Sequence, residues 1–138
     1  SHTVDINVAG LFNLIGYELI LPEPYPGKDL ALLLNWQRGE NYQPINFDVF
    51  VQIEDAAGNI WGQSNSGPVC GQKPTTTWAE EEIVADTHLI TIDPNISPGD
   101  YRITVGMYLP DENYRLPILD EAGQPMADAA ELTTVTIE

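Results

Sequence analysis

Apolar and polar residues alternate with a period of two along most of the chain, and this constrains the fold more than any other feature. Val4, Ile6 and Val8 alternate with Thr3, Asp5 and Asn7. Leu30, Leu32, Leu34 and Trp36 fall on one face of the next run. Phe47, Val49, Val51 and Ile53 alternate with Asp48, Phe50, Gln52 and Glu54; Tyr101, Ile103, Val105 and Met107 with Arg102, Thr104 and Gly106; and Thr133, Val135 and Ile137 with Thr134 and Thr136. Successive side chains of a strand point to opposite faces, so each run reads as a strand with one buried and one wet face.

Turn chemistry separates the runs. Asp55-Ala56-Ala57-Gly58-Asn59 and Asp120-Glu121-Ala122-Gly123-Gln124 pair an Asx side chain with a glycine suited to positive φ. Ser97-Pro98-Gly99-Asp100 and Pro110-Asp111-Glu112-Asn113 are further turns, and Pro22, Pro24, Pro26 and Gly27 interrupt the chain early. Helix is confined to a short candidate at Trp78 to Val84 and a single turn at Asp128 to Leu132, with long loops at 37–45 and 64–82. Short strands joined by turns, without strand–helix alternation, predict an all-β antiparallel sandwich of two sheets, immunoglobulin or fibronectin III-like, with roughly seven to nine strands. A Tyr following Pro-Gly-Asp at a strand start, as Tyr101 does, matches the tyrosine corner of such domains. Ser1-His2 reads as the remainder of a cleaved tag, and 3–138 as one domain cut from a larger parent. No apolar run approaches the ~18 residues of a membrane span.

Charge narrows the function. Five Lys and Arg stand against 21 Asp and Glu, a formal net charge of −16. A protein that neutralises phosphates needs a basic face, so nucleic acid is excluded as a partner, and so is docking to anionic lipid through a polybasic patch. The single cysteine, Cys70, excludes an intramolecular disulfide and a multi-thiolate zinc site.

No catalytic motif is present. A triad would need His88, the one histidine beyond His2, to face a nucleophile and be oriented by a carboxylate. His88 shares strand parity with Ile90 and Ile92, which makes it a core or edge histidine first. The acids are too many for spacing to single out a glycosidase pair. The densest acidic patch, Glu80, Glu81, Glu82 and Asp86, is the candidate metal site, with calcium the fitting ion and a solvated loop the plainer reading. No other cofactor is expected. For carbohydrate, the candidate stacking rings are Trp61, Trp78, Tyr108 and Tyr114, while Trp36 has core parity. Phe50 and Trp78 read first as covers for neighbouring structure. Arg102 and Arg115 read as partners of surface acids.

An ordered series of short motifs adds a resemblance. Leu14-Ile15-Gly16-Tyr17-Glu18-Leu19, Pro26-Gly27-Lys28-Asp29-Leu30, Leu34-Asn35-Trp36-Gln37 and Phe47-Asp48-Val49-Phe50-Val51-Gln52 come first. Asp55-Ala56-Ala57-Gly58, Pro74-Thr75 with Trp78, Glu82-Ile83-Val84-Ala85-Asp86 and Pro98-Gly99-Asp100-Tyr101-Arg102 follow, and the series ends with Val105-Gly106-Met107-Tyr108 and Arg115-Leu116-Pro117-Ile118. Together they resemble a β-sandwich domain at the C-terminal end of membrane-embedded bacterial glycosyltransferases, particularly those of Chloroflexus-like bacteria. The family usually has Gly where this chain has Glu81. The resemblance implies a non-catalytic accessory domain, extracytoplasmic and tethered to the membrane through its parent. Its partners would be the parent's other domains or a glycan or cell-envelope polymer. An independent carbohydrate-binding module using exposed aromatic rings is the alternative.

Overall fold

The structure is a computed structural model that describes residues 2–20 and 24–138; Ser1 and the expected chain break at Pro22 lie outside the described residues. Eleven strands form: β1 (His2–Val8), β2 (Phe12–Leu19), β3 (Asp29–Arg38), β4 (Asp48–Glu54), β5 (Ile60–Ser66), β6 (Val84–Thr91), β7 (Gly99–Leu109), β8 (Tyr114–Arg115), β9 (Ile118–Leu119), β10 (Pro125–Ala127) and β11 (Ala130–Ile137). One sheet has the order β10-β9-β1-β2-β3-β6; the second has β11-β7-β4-β5, with β8 on β7. Every pairing is antiparallel.

The alternation accounts for the packing. Leu30, Leu32, Leu34 and Trp36 of β3 are buried, as are Val49, Val51 and Ile53 of β4 and Tyr101, Ile103, Val105 and Met107 of β7. These rows meet between the sheets. Phe12 anchors the aromatic end of this core, with Phe47 and Trp78 edge-on to it at 5.6 and 5.2 Å, a geometry favoured by ring quadrupoles.

The chain crosses between sheets from β3 to β4, from β5 to β6, from β6 to β7, from β8 to β9 and from β10 to β11. Strands β2, β3 and β6 face β11, β7, β4 and β5 in a seven-strand, two-sheet sandwich in which β5 is the edge strand beside β4. The Tyr101 hydroxyl donates to the Ser97 carbonyl at 2.6 Å, tying the corner between β6 and β7 as expected of a tyrosine corner.

Three expectations are corrected. The described residues form eleven strands, not seven to nine, because the turn-rich stretch after β7 forms three strands of only two or three residues, β8 to β10. Trp78 to Val84 is not helical: a lone 3-10 turn covers Thr75–Thr77, and Trp78 is extended with ψ 132°, which lets its indole enter the core. Asp128 to Leu132 forms no helical turn, since β11 begins at Ala130. His2 belongs to β1, opposite Tyr17, with its ring stacked on that tyrosine at 4.9 Å.

Candidate functional site

The four rings singled out in the sequence do not share a face. Trp78 is 3% exposed, and its indole N–H donates to the Lys73 carbonyl at 3.0 Å, so it offers no stacking surface. Trp61 is half-buried at the β5 edge and donates its indole N–H to Asp55 Oδ2 at 3.1 Å. That bond, helped by Asn59, holds the Asp55 carboxyl down to about 2. On the β7–β8 hairpin, Tyr108 lies opposite Arg115 and Leu109 opposite Tyr114. Tyr108 and Tyr114 therefore project from opposite faces. Tyr114 is 53% exposed, whereas Tyr108 is half-buried beside Asp48. Burial pushes the Tyr108 phenol up.

The acidic patch also separates. Glu82 accepts from the Ala79 N–H at 2.8 Å and pairs with Lys73 at 3.0 Å; these contacts, the backbone bond first, lower its pKa. Glu80 and Glu81 are exposed. Asp86 points inward and is 0% exposed. Among the described residues, no three His, Cys, Asp or Glu side chains converge as a metal cage.

Asp86 is instead the end of a polar relay. Asp86 and His88 both face inward from β6, two residues apart, and Asp86 Oδ2 lies 2.6 Å from His88 Nε2. A carboxylate only accepts, so Nε2 carries the proton. In the neutral ring Nδ1 then accepts from the Ser64 hydroxyl of β5 at 3.0 Å. Asp86 Oδ1 accepts from the Val69 N–H at 2.7 Å. This holds a left-handed turn in which Val69, Cys70 and Gly71 all have positive φ. The relay has the membership of a Ser-His-Asp triad, but His88 is 2% exposed and the line of bonds joins the edge strands of opposite sheets. Its direct effect is to clamp β5 to β6.

The outer face of the second sheet carries a different constellation. Outward side chains alternate with the core row: Gln63 and Asn65 on β5, Phe50 and Gln52 on β4, and Tyr108 on β7. With Asn113 and Arg115 they line a shallow groove of about 350 Å³. Its floor is built by glycine. A Cβ at Gly106 would sit 2.4 Å from Phe50 Cζ, so only glycine lets that ring lie flat on the sheet. The Arg115 guanidinium stacks on the ring at 4.0 Å and lies 3.6 Å from Asp128. Phe50 is thereby 2% exposed: it is itself covered by Arg115, whereas the sequence predicts that it covers neighbouring structure. Asp48 borders the groove beside Tyr108; burial raises its pKa against the Tyr108 hydrogen bond, and Asp111 adds repulsion. Among the described residues, the side-chain amides of Gln52, Gln63, Asn65 and Asn113 make no hydrogen bond within the protein. A row of free amides over a covered ring can donate to and accept from a hydroxyl-rich ligand.

The relay and the groove were both missed in the sequence. Asp86 and His88 share strand parity, a signal that pairs them once β6 is recognised. Gln63 and Asn65 alternate with Gly62, Ser64 and Ser66, a strand segment without an apolar row that hydrophobic periodicity passes over. Comparison of the chain with protein-family models and with curated proteins finds no match.

Proposed function

We propose that this chain is a non-catalytic accessory domain that recognises carbohydrate on the outer face of its second sheet, as part of a membrane glycosyltransferase-like parent working outside the cytoplasm. The observation that carries the recognition role is the groove of free amides between β5 and β8. Sheet faces left uncovered by other elements and lined by amides suit ligands whose hydroxyls both donate and accept. The parent is suggested by the ordered motif series. Glu81, where the family usually has Gly, has φ +65°, a left-handed conformation that glycine adopts without penalty. The described residues contain no helix long and apolar enough to cross a membrane, so on this reading any membrane span belongs to the parent.

The rival module, which stacks sugars on several exposed rings, is less well supported, because Trp78 is in the core and Tyr108 and Tyr114 face opposite ways. The relay is read here as a clamp, since its base is enclosed. A glycan array tests the proposal with the wild-type protein, the Gln63→Ala/Asn65→Ala variant and a Trp61→Ala control. Binding lost in the amide variant and kept in the control supports it. Absence of binding to any glycan, or equal loss in the control, refutes it.

A further inference from the structure

Resting on the carbohydrate reading above, we infer that the ligand is an uncharged sugar chain, rich in hydroxyl or acetamido groups, that lies obliquely across the strands from β5 toward β8.

The direction follows from which strands supply the lining. Gln63 and Asn65 come from β5, Gln52 from β4, Tyr108 from β7 and Arg115 from β8, and these strands are successive neighbours in the sheet. Gln63 lies opposite Gln52, and Asn65 opposite Phe50; Tyr108 lies opposite Arg115. On β7, however, Gln52 lies opposite Thr104 and Phe50 opposite Gly106, while Tyr108 lies opposite Asp48, so the polar groups form an oblique band in which Tyr108 and Arg115 are offset four residues along the strands from Gln52 and Gln63. Three inter-strand intervals of roughly 4.8 Å across and four residues of roughly 3.4 Å along make it about 20 Å long. A chain lying along β4 would instead leave the groove at Glu54, whose carboxylate is already engaged by Thr104 at 2.6 Å.

The absence of charge on the ligand follows from the groove's own groups. An amide presents donors and an acceptor, as does a hydroxyl or an acetamido group, whereas a carboxylate only accepts and would leave the amide oxygens unmatched. The single cation at the groove, Arg115, is already spread over the Phe50 ring and beside Asp128. Asp48 borders the groove from β4, with Asp111 of the hairpin tip close enough to act on it. The net charge of −16 adds a repulsive field, partly screened beyond a Debye length of ~8 Å at physiological salt. A uronate or a phosphate-bearing polymer meets carboxylates without a free cation. A purely apolar ligand finds no platform, because Arg115 caps the ring.

The test is calorimetric titration of the whole chain with neutral gluco- and chito-oligosaccharides of increasing length, and with oligogalacturonates of matched length. Neutral chains should gain affinity with length until the band of about 20 Å is spanned, and oligogalacturonates should bind at least roughly tenfold more weakly. In Gln63→Ala/Asn65→Ala, whose exposed side chains leave the fold intact, every neutral chain should bind more weakly and the gain with length should disappear. Equal affinity for oligogalacturonates overturns the neutrality of the ligand. An unchanged length gain in the variant overturns its direction. Either result leaves the carbohydrate reading standing, whereas failure of every sugar to bind removes that reading together with this inference.

Discussion

Asp86→Ala is expected to be among the most destabilising single substitutions in this chain that leave the apolar core intact. The carboxylate is 0% exposed and accepts two bonds, from His88 Nε2 at 2.6 Å and from the Val69 N–H at 2.7 Å. Its removal leaves the buried ring N–H without an acceptor and frees the left-handed turn at Val69. Each of the two donors left without an acceptor costs about 1–3 kcal/mol, together a large part of a total stability of ~5–15 kcal/mol. Ser64→Ala removes only the half-exposed donor to Nδ1 and should cost about 1 kcal/mol. Urea unfolding followed by the fluorescence of buried Trp36 reads this directly: with m of about 2 kcal/mol per M, a ~4 kcal/mol loss moves the midpoint by about 2 M. If the relay acts as a unit, Asp86→Ala/His88→Ala costs little more than the worse single variant, a coupling of roughly 2 kcal/mol. A loss below about 1 kcal/mol for Asp86→Ala, or strictly additive single effects, would refute the clamp.

Asp55 is depressed to about 2 in the folded state by its bonds to Trp61 and Asn59. Its stabilisation is therefore present above the unfolded carboxyl pKa of about 3.9 and lost as pH falls through about 2. Asp55→Asn should lower Tm at pH 7, and the gap should close on acidification; a gap that is constant with pH counts against the assignment. Gly106→Ala pushes a Cβ to 2.4 Å from Phe50 Cζ and should cost about 1–3 kcal/mol by overpacking, with Phe50→Leu recovering much of the loss in a double variant followed by urea unfolding. Glu81→Gly relieves a residue at φ +65° and should raise stability by up to ~1 kcal/mol; Glu81→Ala, which keeps the Cβ, should not.

The sheets were legible in the sequence wherever one face of a strand meets the core. In β3, β4, β7 and β11 the parity of Leu32, Val51, Ile103 and Val135 placed these side chains inside, and each is buried. The turn chemistry was equally readable. Asp55 Oδ1 accepts from Ala57 and Asn59 at 2.9 Å, and Asp120 Oδ1 accepts from Ala122 and Gln124 at 2.9 Å. Trp78 misled because its sequence neighbours are polar while its ring reaches Phe12 across the sandwich, a contact that local pattern does not encode. The acids of 80–86 are dense in sequence without converging in space. Strand parity sends Asp86 inward, and Glu82 bends back onto its own turn.

The groove escaped because β5 has no apolar row, and the reason lies in what its inner side faces. Gly62, Ser64 and Ser66 pair with Ile53, Val51 and Val49 of β4 and so point inward, yet none is a core residue. They meet the edge of the other sheet. A Cβ at Gly62 would lie 2.9 Å from the Thr91 carbonyl and 3.0 Å from Ile90, so β6 comes too close for any side chain there. One turn of the pleat further, Ser64 reaches His88, and the Asp93 N–H donates to the Trp61 carbonyl at 2.8 Å. Bulk is thus replaced by a backbone bond and a buried polar relay. This also manages the exposed edges that invite aggregation in open sheets, because the two edge strands are directed at each other. It leaves β5 free to carry polar residues on both faces. The amides of Gln63 and Asn65 can face the groove only because Ser64, between them, holds the strand in place from behind.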